Sequence, residues 1–159
     1  MFRSPVKAAA LAALLFTAAC SHQMQSRVRV EDYGPFVGVG DGSIVGQGFM
    51  RQVGGGVVTC AGAQVIAVPS TQYTRERFAA ALSGLQVNDP DAHTFATLGV
   101  TKLSRCDAQG NFTIENLRPG TWLVATDVTW MVGYSAQGGS VVGEAQVSEG
   151  KATKIILTR

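Results

Sequence analysis

Between Ser43 and Arg159 apolar and polar residues alternate in short runs, and glycine, proline, asparagine and aspartate break the runs apart. That is the pattern of half-buried β-strands joined by tight turns. Ser43–Met50 (SIVGQGFM) reads as a first strand, with Gly46 and Gly48 on one parity, where a strand bulges or another group comes close. Val53–Gly56 turn the chain. The runs VVTC and AQVIAVP follow, the second with Val65 and Val68 flanking Ile66 before Pro69 stops it. Phe112 and Ile114 share a parity, as do Trp122, Val124, Val128 and Trp130 with Thr126 among them, and these apolar side chains form the predicted core. SVVGEAQV and KATKIILTR give two more strands around Ser148–Gly150.

The turns between these runs have their own chemistry. In DAQGN, Asp107 can hydrogen-bond its own turn and Gly110 can take a positive φ, so the flanking strands are predicted to form a hairpin. Arg118–Gly120 make a second turn. The one helical candidate is Thr74–Leu85, where Phe78, Leu82 and Leu85 fall at i, i+4 and i+7. Thr74 is followed three places on by Arg77 rather than Glu, so no capping box is expected there. The segment predicts one to three turns of helix or a long loop, followed by a turn-rich Asn88–His93. About seven short strands, little helix and many glycines describe an all-β sandwich.

The first 19 residues differ in kind. Arg3 and Lys7 precede an uncharged, mostly apolar run from Ala8 to Ala19, the layout of a secretory signal. The run is shorter than the roughly 20 residues a membrane-spanning helix needs. Its ending, FTAAC, looks like a bacterial lipobox, which implies that Cys20 is diacylated and becomes the first residue of the mature chain. Ser21 after it resembles the outer-membrane sorting pattern. Ordinary cleavage after Thr17-Ala18-Ala19 is the alternative and leaves Cys20 a thiol. With Cys20 acylated, Cys60 and Cys106 remain as one pair, which an oxidising compartment would join. In this reading residues 1–19 are the signal, 20–42 the acylated cysteine with a flexible tether, and 43–159 the domain.

Charge narrows the range of partners. The formal net charge of +2 equals the contribution of Arg3 and Lys7, so the remainder is formally neutral and has no basic cluster. Nucleic acid and an electrostatic hold on anionic lipid are therefore not expected. Membrane attachment would come from the acyl chains.

The order Asp107, Gly110, Phe112, Ile114, Leu117, Pro119, Gly120, Trp122 resembles the carboxypeptidase regulatory-like domain family. The likeness spans about Ser43 to Arg159 and is dense only from Cys106 to Val124. It implies a transthyretin-like, Greek-key β-sandwich of about seven strands. It implies little about activity, because members are appended to peptidases, to outer-membrane receptors and to many exported proteins. Thr71–Ala96 is a longer insertion than a plain member needs.

Reactive constellations are sparse. GYSAQG (Gly133–Gly138) misses the G-x-S-x-G elbow and lies between strands. His22 and His93 are the only histidines, too few for a histidine-based triad or for the several histidines of transthyretin-like hydroxyisourate hydrolases. Asp89, Asp91 and His93 alternate and could face a cation, although solvated turn residues explain them as well. Trp122, Trp130, Tyr73 and Tyr134 could form a sugar-stacking platform, but the shared strand face of the two tryptophans favours core packing. No catalytic, cofactor-binding or metal-binding residue is assigned. The expected function is that of a lipid-anchored periplasmic module, at the outer membrane, with a non-catalytic accessory or protein-interaction role. A carbohydrate-binding module using surface aromatics is the alternative, and a transthyretin-like hydrolase the third reading. The partner would be an envelope protein or a glycan.

Overall fold

The computed structural model describes residues 21–159. The signal-like leader and Cys20, the expected lipidation site, lie outside the described residues. In chain order the elements are β1 (Ser21–Gln23), a 3-10 helix (Val30–Phe36), β2 (Gly42–Arg51), β3 (Val57–Thr59), β4 (Gln64–Pro69), α1 (Gln72–Leu82), β5 (Gln86–Asn88), α2 (Ala92–Thr97), β6 (Lys102–Arg105), β7 (Asn111–Leu117), β8 (Gly120–Val132), β9 (Ser135–Val147) and β10 (Ala152–Leu157).

Eight of these strands make an all-β sandwich. In one sheet β2 is central, with β10 parallel on one side and β7 and then β3 antiparallel along the other. The second sheet runs β6-β4-β8-β9, all antiparallel. Since β7 and β3 share one edge of β2, the strands fill seven positions, as the sequence predicts. Phe112, Ile114, Trp122, Val124 and Val128 are buried between the sheets together with Ile44, Val65 and Leu157. Trp130 is only half-buried, because β8 has by then run past the end of its neighbour β4. The indole N–H of Trp122 donates to the Arg118 carbonyl (2.9 Å), so the largest core side chain leaves no polar atom unpaired. Thr126 Oγ1, also buried, donates to the Gln64 carbonyl (2.8 Å).

Within β2, Gly46 and Gly48 mark close approach. A methyl group at Gly46 would lie 2.5 Å from the Phe112 ring, and one at Gly48 would lie 2.8 Å from the Cys60 sulfur. Cys60 and Cys106 are joined by a disulfide buried in the core, closing a sequence separation of 46.

Both turns in Cys106–Trp122 are formed as the chemistry demands, but neither closes a hairpin. Asp107 Oδ1 accepts the Gln109 and Asn111 backbone N–H groups (2.9 and 2.8 Å), and Gly110 sits at φ 81°. These hydrogen bonds, the Asn111 side-chain amide first, hold the Asp107 carboxyl below its ordinary range. Yet β6 pairs with β4 and β7 pairs with β2. The expected hairpin is therefore a crossing from one sheet to the other, and the Arg118–Gly120 turn crosses back. Near that second turn Asn116 adopts φ 61°, and the inward parity shifts from Phe112 and Ile114 to Leu117.

The tether reading of 21–42 is corrected. This segment is packed onto the insertion Thr71–Ala96, so the folded unit includes residues well before Ser43. β1 pairs in parallel with β5, and Met24, Ser26 and Tyr33 are buried. Met24 and Tyr33 join Val68, Tyr73, Phe95, Val100 and Leu123 in a second apolar cluster, outside the sandwich, on the outer face of the β4–β8 sheet. A spacer reading fails because Met24, Tyr33 and Phe36 show no period of their own, and their partners lie far along the chain.

The insertion is more ordered than predicted. α1 starts two residues earlier than expected, because Thr71 caps it: the Thr74 N–H donates to Thr71 Oγ1 and the Thr71 N–H to Thr74 Oγ1, a capping box built from two threonines. Gly84 at φ 69° lets the chain leave the helix. Part of the turn-rich Asn88–His93 stretch enters α2, whose Phe95 is buried.

Candidate ligand-binding cleft

Strand register arranges the outer face of the second sheet in rows. Ile66 stands opposite Leu103 and Ala125, and Ala125 opposite Val142, giving an apolar row. One outward step along the strands, Gln64 stands opposite Arg105 and Asp127 opposite Ser140, giving a polar row. One step the other way, Val68 and Leu123 are buried under the insertion. The sheet face thus passes from covered, through half-covered and apolar, to open and polar.

α1 forms the wall over this floor. Thr74, Arg77, Phe78, Ala81 and Leu82 point from it into a cleft of about 410 Å³ whose floor includes Gln64, Ile66, Ala125, Asp127, Ser140 and Val142. A volume of that size suits a small ligand. Phe78 and Leu82, predicted to share one helix face, do line the cleft, but Leu82 remains 40% exposed. The buried side of the helix is the one holding Tyr73, Thr74 and Ala80. Phe78 is half-buried and is the aromatic surface on this wall.

Hydrogen bonds from the N-terminal segment keep the wall in place. Glu76, on α1, accepts the backbone N–H groups of Gln25 and Ser26 (both 2.7 Å), the Ser26 hydroxyl, and His22 Nε2 at 2.9 Å. The Ser26 hydroxyl is the first cause of a carboxyl held down at about 2, with the Gln25 N–H next. Asp91 accepts the Val28 N–H (2.9 Å) and both arms of the Arg27 guanidinium, and its carboxyl is lowered by these contacts, Val28 first. Tyr33 and Thr71 share a buried hydroxyl–hydroxyl hydrogen bond of 2.8 Å.

Asp89 and Asp91 are thus occupied within the fold. Asp89 accepts the Tyr73 hydroxyl (2.5 Å) and lies 3.3 Å from Arg77 Nε. Burial, and then that acceptor, push the Tyr73 hydroxyl well above its ordinary value. His93 is exposed and does not join them, and among the described residues no cluster of three metal-ligating side chains occurs. The aromatic platform does not assemble either. Trp122 and Tyr73 lie in the two separate cores, Trp130 packs against the first, and Tyr134 stands fully exposed in the two-residue Gly133–Tyr134 turn of the β8–β9 hairpin.

A solved structure with this architecture comes from Pseudomonas aeruginosa and bears the name "putative carbohydrate binding protein". Its TM-score is 0.67 at 23% sequence identity, over 84% of this chain and 99% of that one. At such identity the likeness speaks to the fold, and the two chains share the β-sandwich. No family model matches this chain, and no curated protein matches it.

The polar row supplies hydrogen-bond partners. Ser140 Oγ donates to Asp127 Oδ1 at 2.5 Å, and Gln64 brings an exposed amide. The cleft lining holds Gln64, Asp127, Ser140 and Arg77 as its hydrogen-bonding side chains beside the threonines. The apolar and polar rows escape a reading of the sequence, because each strand contributes one residue per row and only the register brings them together. The outward parity of Ile66, Ala125 and Val142 was the available signal.

Proposed function

We propose that this chain is a non-catalytic β-sandwich module that binds carbohydrate in the cleft between α1 and the β4–β8–β9 sheet. The observation that carries the reading is the layered floor. An apolar row beside a polar row, faced by Phe78, offers one surface to the C–H face of a sugar ring and another to its hydroxyls. The name of the Pseudomonas aeruginosa relative points the same way. A glycan array probed with wild type and with Phe78→Ala tests the reading. Wild type should select a set of glycans that the variant loses while its melting temperature stays within a few degrees. An array without selective binding would overturn it.

In the same reading the chain is exported, acylated at Cys20, and held at the periplasmic side of an outer membrane, and Cys106–Trp122 groups it with carboxypeptidase regulatory-like domains. Cys20→Ala should then move the protein from the membrane fraction to the soluble fraction and abolish labelling by a lipid precursor. Unchanged fractionation with an unlabelled wild type would overturn the anchor.

A second reading, docking to an envelope protein, is favoured by the outer end of the β8–β9 hairpin. No charged residue occurs from Val128 to Gly143, and Met131, Val132 and Tyr134 are exposed at its tip. Crosslinking from the tip to one defined envelope protein, lost in Met131→Gln/Tyr134→Ser, supports it; no crosslink excludes it.

A further inference from the structure

Taking the carbohydrate reading as its basis, we propose that the cleft selects uncharged saccharides through Asp127 and turns away anionic ones. Asp127 is exposed at the open end of the floor, and among the described residues it takes part in no ion pair. Its one side-chain partner is the Ser140 hydroxyl. A carboxylate has about four lone-pair positions and donates nothing, so the remaining positions are open to donors only.

Neither neighbouring arginine pairs with Asp127. Arg105, in the same row, donates from Nη1 to the Gly62 carbonyl (2.5 Å). Arg77, on the wall, has its Nε 3.3 Å from Asp89 and its guanidinium 5.9 Å from the centre of the buried Phe95 ring. A uronate or sugar phosphate seated against Asp127 would therefore meet its negative charge at close range, with Arg105 two strands away beyond Gln64 and outside the cleft lining. Adjacent hydroxyls of a neutral ring can instead donate to Asp127 and accept from the Gln64 amide. Outward rows lie about 6.6 Å apart along a strand, a span that one pyranose ring bridges while its C–H face rests on Ile66, Ala125 and Val142.

Isothermal titration of the full chain with cellobiose, maltose, N,N′-diacetylchitobiose and digalacturonic acid tests this, on wild type and Asp127→Asn. The expected result is that at least one neutral disaccharide binds and digalacturonate does not. Asp127→Asn should weaken the neutral ligand about tenfold or more, the loss expected for a hydrogen bond to a charged acceptor, and should give digalacturonate measurable binding. Because Asp127 is exposed, its variant should melt with wild type. If digalacturonate binds wild type as well as the neutral sugars do, or if Asp127→Asn changes nothing, the selectivity is wrong and the carbohydrate reading stands. If no neutral disaccharide binds at millimolar concentration, the selectivity falls, and if the glycan array is also blank the carbohydrate reading falls with it.

Discussion

Phe36 meets Trp122 edge to face, with ring centres 5.3 Å apart and planes at 89°. An aromatic residue of the N-terminal segment therefore packs on the largest side chain of the sandwich core, tying 21–42 to the domain energetically as well as in space. Trp122→Ala should lower stability by about 3 to 5 kcal/mol, the range for a buried aromatic. Phe36→Ala, at a half-buried site, should cost on the order of 1 to 2 kcal/mol. Urea denaturation beside wild type measures both, and an unchanged midpoint in Phe36→Ala would return the segment to the status of a spacer.

The Cys60–Cys106 bond closes a separation of 46 residues, for which the chain-entropy model gives roughly 4 kcal/mol. Cys60→Ala/Cys106→Ala should lose about 2 to 4 kcal/mol. Non-reduced, alkylated protein should carry no label at either position in mass spectrometry, and labelling of both would show the bond to be absent in solution.

Gly48 has no room for a side chain, since a methyl there would press on the Cys60 sulfur at 2.8 Å and the Thr126 methyl at 2.9 Å. Gly48→Ala should therefore destabilise by about 1 to 3 kcal/mol through overpacking. A differential scanning trace that matches wild type would contradict this packing.

Acid should loosen the hold on the N-terminal segment. Glu76 has its carboxyl lowered from 4.5 to about 2 when folded, so its contribution is complete above pH 4.5 and is lost as pH falls through about 2. Asp91, lowered as well, acts in the same direction. Backbone amides of Gln25, Ser26 and Val28 should exchange faster with deuterium, relative to the sandwich core, as pH drops across that window. Glu76→Gln should show fast exchange at Gln25 and Ser26 already at neutral pH, and protection unaltered by the substitution would rule out this carboxylate as the clasp.

The sandwich core was legible because alternation is enforced wherever one strand face is buried: Phe112, Ile114, Trp122, Val124 and Val128 all point inward as their parity demands. The turn at Asp107 was legible as a turn, yet its destination was not. Asp and Gly determine a local reversal of the chain, whereas whether the next strand joins the same sheet or the facing one depends on β2, far away in sequence. The cap of α1 was missed because Thr71 pairs with a second threonine instead of Glu or Gln. The second apolar cluster was missed because it draws single residues from 24, 33, 68, 73, 95, 100 and 123, none of them periodic with the others. The cleft depends on register in the same way.

β10 lies against β2 with Ala152 beside Ser43 and Leu157 beside Gly48. β2 and β10 are the first and last strands of the sandwich in sequence, so one flank of β2 stays open until β10 has docked. Closing so distant a pair carries a large entropic barrier and is slow compared with forming the β8–β9 hairpin. Until then that flank of β2 presents unpaired backbone N–H and C=O groups along Ser43–Gly48. Truncations that remove Ala152–Leu157 should leave a chain that holds its hairpin but is recognised by chaperones as unfinished.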